Sequence, residues 1–370
     1  MKVMVLSSYA PTLFFFREDM MAAMIMNGHE VIAAAPESEK EWENKFKKRN
    51  IKYVSIKGIE RTGSNPVKDI IGFISILKTI FKEKPDKVIA YQAKTIAYGC
   101  IAANILRVKG IYAIMGGLGS IIRNNSRKSL ARDILKTEYK VAFSFCDNVF
   151  FQNKDDCNEA INNNLIKNEK IVMINGSGVN LKKFTEKQIT KDPIFLFVGR
   201  LLKDKGINEY IQAAEIVKEK YPNARIQILG SFDTNPTAIK EDDIYKYVKK
   251  GIIEYLGSTD DVRPFLETCR FFVLPSYHEG TSKSMLEAMA TGRPILTTDA
   301  PGCRETVIDG INGLLVPVAN VDKLAEKMIW LIENTEEAER MGQEGLRICK
   351  EKYDVQKVNE IILKTMNLKA

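Results

Sequence analysis

At 370 residues the chain exceeds what one hydrophobic core usually serves, and with 45% hydrophobic residues and only 12 prolines it reads as two globular domains, excluding a disordered or linker protein. Six scattered cysteines without a Cys-x-x-Cys, and two histidines, His29 and His278, argue against a zinc site or a disulfide framework and for reduced thiols in a cytoplasmic protein; no leader is expected ahead of the first strand, and no apolar run has the length of a membrane span. The formal charge of +8 admits nucleotide sugars, acidic lipids or nucleic acid as partners and does not choose among them.

In chain order, residues 2–6 form a short apolar strand with Ser7-Ser8-Tyr9-Ala10-Pro11 as its exit loop, residues 14–27 a helix closed by Gly28, and residues 31–35 the next strand. The alternation continues through strands at 53–56, 87–91, 111–115, 149–152 and 170–174. Helices at 67–84, 95–108 and about 127–145 lie between them, with Gly116-Gly117-Leu118-Gly119 after the fifth strand. This is one complete α/β domain. Residues 176–192 turn to Gly, Ser, Asn, Lys and Pro and read as a linker. A second alternation follows: strands at 194–198, 225–229 and 252–256, a helix at 207–220, a helix from Asp260, the segment 270–298, a strand at 313–316 and closing helices from Val321.

Within that second half, residues 270–274 and 295–298 are short buried strands flanking a helix. The helix starts just past Gly280, with Thr281 or Ser282 as its cap, and stops at Gly292-Arg293-Pro294. Its entry loop, Tyr277-His278-Glu279-Gly280, leaves the carboxyl end of a strand, where open α/β sheets bind ligands and where helix N–H groups attract anions. Glu287 stands among Met285, Leu286, Ala288 and Met289, and is either a solvated surface residue or a carboxylate leaning back toward a bound nucleotide, placed to accept from ribose hydroxyls. Further pieces recur at strand ends: Ser7-Ser8, Gly199-Arg200, Gly230-Ser231 and Gly257-Ser258. Neither NAD nor ATP hydrolysis is indicated, because Gly117-Leu118-Gly119 has Ile122 where a third Gly belongs and residues 280–284 lack the Gly-Lys pair of a P-loop.

Gly199-Arg200, then Lys205-Gly206, then Glu279 and Glu287 separated by seven residues, then Pro301-Gly302-Cys303-Arg304-Glu305, together resemble the retaining glycosyltransferases of the GT-B fold, family 4. Residues 179–184, 230–236 and 273–276 resemble more narrowly the bacterial enzymes that extend undecaprenyl-diphosphate-linked glycans, including N-acetylgalactosaminyltransferases. The resemblance implies two doubly wound Rossmann-like domains facing each other across a cleft, expected here as 1–185 and 186–350, with 351–370 returning to the first. It implies a UDP-sugar donor and a polyprenyl-diphosphate-linked saccharide acceptor, with no metal or other cofactor. Arg200 and Lys205 would bind the donor diphosphate, and the backbone of Gly280, Thr281 and Ser282 the phosphate or sugar. Glu279 would hold a sugar hydroxyl and Glu287 the ribose, with Gly230, Gly257, Gly117 and Gly119 completing the nucleotide-sugar contacts. Many relatives carry a His where this chain has Gly116, which leaves Lys94, Arg17 and the backbone of residues 117–119 as first-domain candidates. Such an acceptor would hold the enzyme on the inner face of the membrane, with Lys128, Arg132 and Lys136, spaced at i+4, lining a face for anionic lipid. Two other readings stand beside this one, a UDP-sugar 2-epimerase of the same fold and a basic nucleic-acid-binding module. The latter lacks aromatics interleaved with its lysines and arginines, and no nucleic acid is expected.

Overall fold

The computed structural model describes residues 1–60, 65–118, 130–235 and 237–369, apart from the side chains of 130 and 131. The chain divides into two compact units, Met1–Ser177 with Val355–Ala370, and Gly178–Asp354.

The first unit is a seven-stranded sheet built from β1 (Lys2–Ser7), β2 (Glu30–Ala35), β3 (Lys52–Ser55), β4 (Lys87–Tyr91), β5 (Gly110–Met115), β6 (Asn148–Phe151) and β7 (Ile171–Met173), ordered β3-β2-β1-β4-β5-β6-β7. Every neighbouring pair is parallel. Parallel strands need crossovers, and the helices that supply them cover both faces. Along β1, Met4 and Leu6 enter one core cluster while Val3 and Val5 enter the other, so a strand that reads as uninterrupted apolar sequence is buried on both sides. Residues 14–27 differ from the single expected helix. Ala10–Phe16 and Glu18–Met26 are separate helices broken at Arg17, whose backbone (φ −123°, ψ 2°) leaves the helical region as its guanidinium turns inward. The apolar periodicity runs through the joint, so the pattern alone does not mark it.

The helix Val355–Thr365 packs on Glu18–Met26 and adds Val358, Ile362 and Leu363 to the cluster that holds Val3, Val5 and Met21. His29 sits beside it with Nε2 2.7 Å from the carbonyl of Leu368, a structural role.

The second unit is a six-stranded parallel sheet of β8 (Ile194–Val198), β9 (Arg225–Leu229), β10 (Glu254–Tyr255), β11 (Phe271–Leu274), β12 (Ile295–Thr298) and β13 (Gly313–Val316), ordered β10-β9-β8-β11-β12-β13. Chain order reverses between β8 and β11, so the loops leaving those two strands diverge at the sheet's switch point. The same reversal occurs in the first sheet between β1 and β4.

Candidate active site

At the switch point of the second sheet, β8 ends in Gly199-Arg200 and β11 in Pro275-Ser276-Tyr277-His278-Glu279-Gly280. The two loops are strapped together. The Tyr277 amide donates to the carbonyl of Asp204 at 2.9 Å, Ser276 Oγ donates to the same carbonyl at 3.2 Å, and the Tyr277 hydroxyl donates to Glu209 at 2.6 Å. Gly206 follows in the left-handed region (φ +72°), where a Cβ would stand 2.0 Å from the Pro275 carbonyl oxygen, so only glycine lets the Lys205 turn approach β11. Gly302 does the same from the β12 side, its absent Cβ falling 2.0 Å from the carbonyl oxygen of Glu279 at φ +78°.

Each expected cation meets a carboxylate. Lys205 Nζ donates to Glu279 Oε1 at 2.5 Å, both side chains largely shielded, and Arg200 Nη1 donates to Asp233 Oδ2 at 2.9 Å. Asp233 also accepts from the Asn235 amide at 2.9 Å, which fixes its orientation. A lysine ammonium has three donors and a guanidinium five, so donors remain for a ligand while the carboxylates hold the two heads in place. Ser282 is the cap of the helix Lys283–Ala290, accepting from the Met285 amide, and Ser284 Oγ donates to the Val198 carbonyl at 3.1 Å, pinning the helix start to the end of β8. Gly230 donates its amide to the Gly257 carbonyl at 2.8 Å, which joins the exits of β9 and β10 on the neighbouring side.

Glu287 is 8% exposed, so the solvated-surface alternative falls. Burial raises its pKa, the nearby Asp261 adds in the same direction, and Lys283, 3.5 Å away one turn earlier, opposes. A carboxylate kept this dry gains when a ligand supplies hydrogen-bond donors.

In the first unit, Gly117 has φ +133° and Gly119 lies outside the described residues. A Cβ at Gly116 would stand 2.9 Å from the Tyr91 hydroxyl, so the histidine of many relatives has no room unless that ring moves. Arg17 is buried with its guanidinium 4.4 Å from the centre of the Tyr91 ring, and its Nε and Nη2 find no acceptor among the described residues. Burial lowers its pKa, with Tyr91 opposing. Lys94 donates to Asp69 at 2.7 Å. Sequence reasoning missed Gln92. Its backbone is at φ +78°, ψ 153°, a strained conformation for a residue with a side chain, and its Oε1 accepts from Ser7 Oγ, Ser8 N and Ser8 Oγ at 2.8, 3.0 and 2.7 Å, shaping the exit of β1 at the switch point. Asp233 was missed as well; its only signal is the Asp-Thr-Asn turn chemistry.

Of the basic residues expected to face lipid, Lys128 lies outside the described residues. Arg132 has only 11% of its side chain exposed and Lys136 donates to Asn163, so at those two positions the spacing that suggested an outward face turns onto protein instead.

The chain is similar to several known proteins. An N,N'-diacetylbacillosaminyl-diphospho-undecaprenol alpha-1,3-N-acetylgalactosaminyltransferase of Campylobacter jejuni is 29% identical over 349 residues, 90% of this chain and 90% of that protein. A UDP-Gal:alpha-D-GlcNAc-diphosphoundecaprenol alpha-1,3-galactosyltransferase of Escherichia coli is 26% identical over 282 residues, 71% of this chain and 70% of its own. In fold, the crystal structure of Anabaena Alr3699/HepE in complex with UDP-glucose superposes with a TM-score of 0.79 at 17% identity, covering 99% of each chain. The two Rossmann-like parallel-sheet units are those of the GT-B fold. Residues 180–347, the stretch that carries Arg200, Lys205, Glu279 and Glu287, match the model of the family Glycosyl transferases group 1.

Proposed function

We propose that the protein is a retaining glycosyltransferase that moves a hexose or N-acetylhexosamine, with N-acetylgalactosamine the best match, from a UDP-sugar to a saccharide carried on undecaprenyl diphosphate at the inner face of the membrane. The observation that carries the reading is the pairing of Arg200 and Lys205 beside the capped start of Lys283–Ala290 at one switch point, with the buried Glu287 one turn along. The names of the relatives support the acceptor class, and the UDP-glucose complex of the structural neighbour supports the donor class.

When the bond from the anomeric carbon to the diphosphate breaks, negative charge builds on the departing oxygen. Arg200 offers a bidentate fork and Lys205 a point charge to that diphosphate, each worth on the order of 2–4 kcal/mol of barrier. These fixed cations can take the role that a divalent ion would otherwise fill, so the reaction is proposed to need none. Glu287 accepts from the ribose hydroxyls and Glu279 orients a hydroxyl of the donor sugar. The acceptor hydroxyl attacks on the face the diphosphate leaves. Its proton passes to the departing phosphate oxygen, and UDP is released with the anomeric configuration kept.

The test is UDP release and product formation with a panel of UDP-sugars and an undecaprenyl-diphosphate-linked saccharide. Expected are acceptor-dependent release, an α-linked product from an α-linked donor, and full activity in excess EDTA. UDP release without acceptor would point to the epimerase reaction, an inverted product would overturn retention, and loss in EDTA restored only by a divalent ion would overturn the metal-free route.

A further inference from the structure

The helix Pro66–Glu83 is apolar on two opposite faces. It starts cleanly, with Asn65 accepting from the amides of Val67 and Lys68 and Pro66 in the first turn. Gly72, Ile76 and Ile80 face inward and are buried. At 3.6 residues per turn, Val67, Ile70, Ile71, Ile74 and Phe81 fall within an arc of about 100° on the other side. They are 67%, 61%, 47%, 43% and 67% exposed. One apolar stripe is enough to seat a surface helix, and single exposed apolar residues are ordinary; five on one ridge are a surface with a partner.

The charges around the ridge say which partner. The two acids of the helix are both engaged, Asp69 by Lys94 at 2.7 Å and Glu83, itself buried, by Lys52 at 2.6 Å. Lys78 and Lys82 are exposed beside the ridge, Lys84 is exposed just past the helix end, and Lys68 flanks the start, paired with Glu60. An apolar strip edged by lysines without a free acid on the same helix is the composition of a helix that lies in a lipid interface. A second copy of this ridge would set lysine against lysine, whereas an anionic bilayer complements the lysines and accepts the apolar side chains between them. Among the described residues no helix is long and apolar enough to cross a membrane, so the contact would be parallel to the surface.

We propose that the outer face of Pro66–Glu83 is the docking surface of this protein for an anionic lipid bilayer, with Ile70, Ile74 and Phe81 entering the acyl boundary and Lys78 and Lys82 meeting headgroup phosphates. The contact belongs to the first unit and is separate from the Arg200 and Lys205 site.

The full chain is to be sedimented with vesicles of phosphatidylglycerol and phosphatidylethanolamine, and with phosphatidylcholine vesicles as the neutral comparison. The wild type partitions onto the anionic vesicles and not the neutral ones. Val67→Gln/Ile70→Gln/Ile74→Gln/Phe81→Gln and, separately, Lys78→Glu/Lys82→Glu each weaken that partition at least tenfold. Phe81→Trp gains a blue-shifted emission on vesicle addition beyond that of Trp42 and Trp330. Protection from thermal unfolding by UDP stays at the wild-type level in all three, which shows intact folding and reads the donor site separately, so a failure of either proposal is visible without the other. Indifference of the wild type to anionic vesicles, or wild-type partition by both substituted sets, overturns the inference. A concentration-dependent dimer abolished by the apolar substitutions, without vesicle binding, assigns the ridge to a second copy and overturns it equally.

Discussion

Arg200 is 44% exposed at the side chain and Lys205, shielded beside Glu279, 21%; both are held by ion pairs on a loop and neither belongs to the hydrophobic core, so removing them tests chemistry more than folding. Arg200→Ala and Lys205→Ala should each lower kcat on the order of 10²-fold with thermal stability near wild type. Wild-type turnover in both variants would remove the diphosphate site. Glu287 makes a pH prediction. Its pKa is raised by burial, so its stability contribution is full below the unfolded-state pKa and is lost as pH rises through the higher folded-state value, where a charge must be held dry. Ribose hydroxyls donate to the ionised form. UDP affinity should therefore rise with pH across that window with release of a proton on binding, and Glu287→Gln should bind more weakly and without the pH dependence. Calorimetry in buffers of different ionisation enthalpy checks both, and an unchanged proton release in the Gln variant would sink the ribose role. The positions of these three residues were legible, because residue type and place at a strand end or on the helix that follows one agree. Asp233 and Gln92 were not, since a turn aspartate looks like any other and nothing in a Gln codon announces a left-handed backbone.

At the level of elements, the loops hold their shape by close backbone approach. Gly302→Ala must strain a left-handed backbone and push a methyl group into the Glu279 carbonyl, two effects of roughly 1–3 kcal/mol each. Gly310→Ala, at φ +73° with no heavy atom near the added methyl, bears only the first. Denaturant unfolding should show Gly302→Ala less stable than Gly310→Ala by about 2 kcal/mol, with UDP binding weakened only in the former; equal losses would show that the contact yields. The strands and crossover helices of both sheets were readable from short apolar runs and amphipathic spacing. The break at Arg17 and the exposed second face of the expected helix Pro66–Glu83 were not. In the first the hydrophobic period continues across the joint, and in the second a helix rich in apolar residues all round reads simply as buried.

On the scale of the whole molecule, the first unit is assembled from two separated pieces of chain. Val358, Ile362, Leu363, Met366 and Leu368 all enter its core. At about 1.5–3 kcal/mol per buried side chain, removing them forfeits on the order of 10 kcal/mol, comparable to the stability of an entire domain. Ending the chain after Asp354 should abolish the thermal transition of the first unit. The second unit should keep its own, since the Val179 amide still finds the Tyr353 carbonyl at 2.8 Å. Two intact transitions in a scan of the truncated chain would refute this dependence.

That division sets an order of events during synthesis. A ribosome delivers β1 first, yet the core behind it stays open until Leu368 has been added, 368 − 177 = 191 residues after Ser177. At roughly 5–20 residues per second that interval is about 10–40 s. The nested unit, Gly178–Asp354, becomes complete within the interval and can fold while the sequence before it waits. The nascent chain therefore finishes its first unit last, and through that wait the apolar side of Glu18–Met26, with Met20, Met21 and Met24, is the surface a holding chaperone would find.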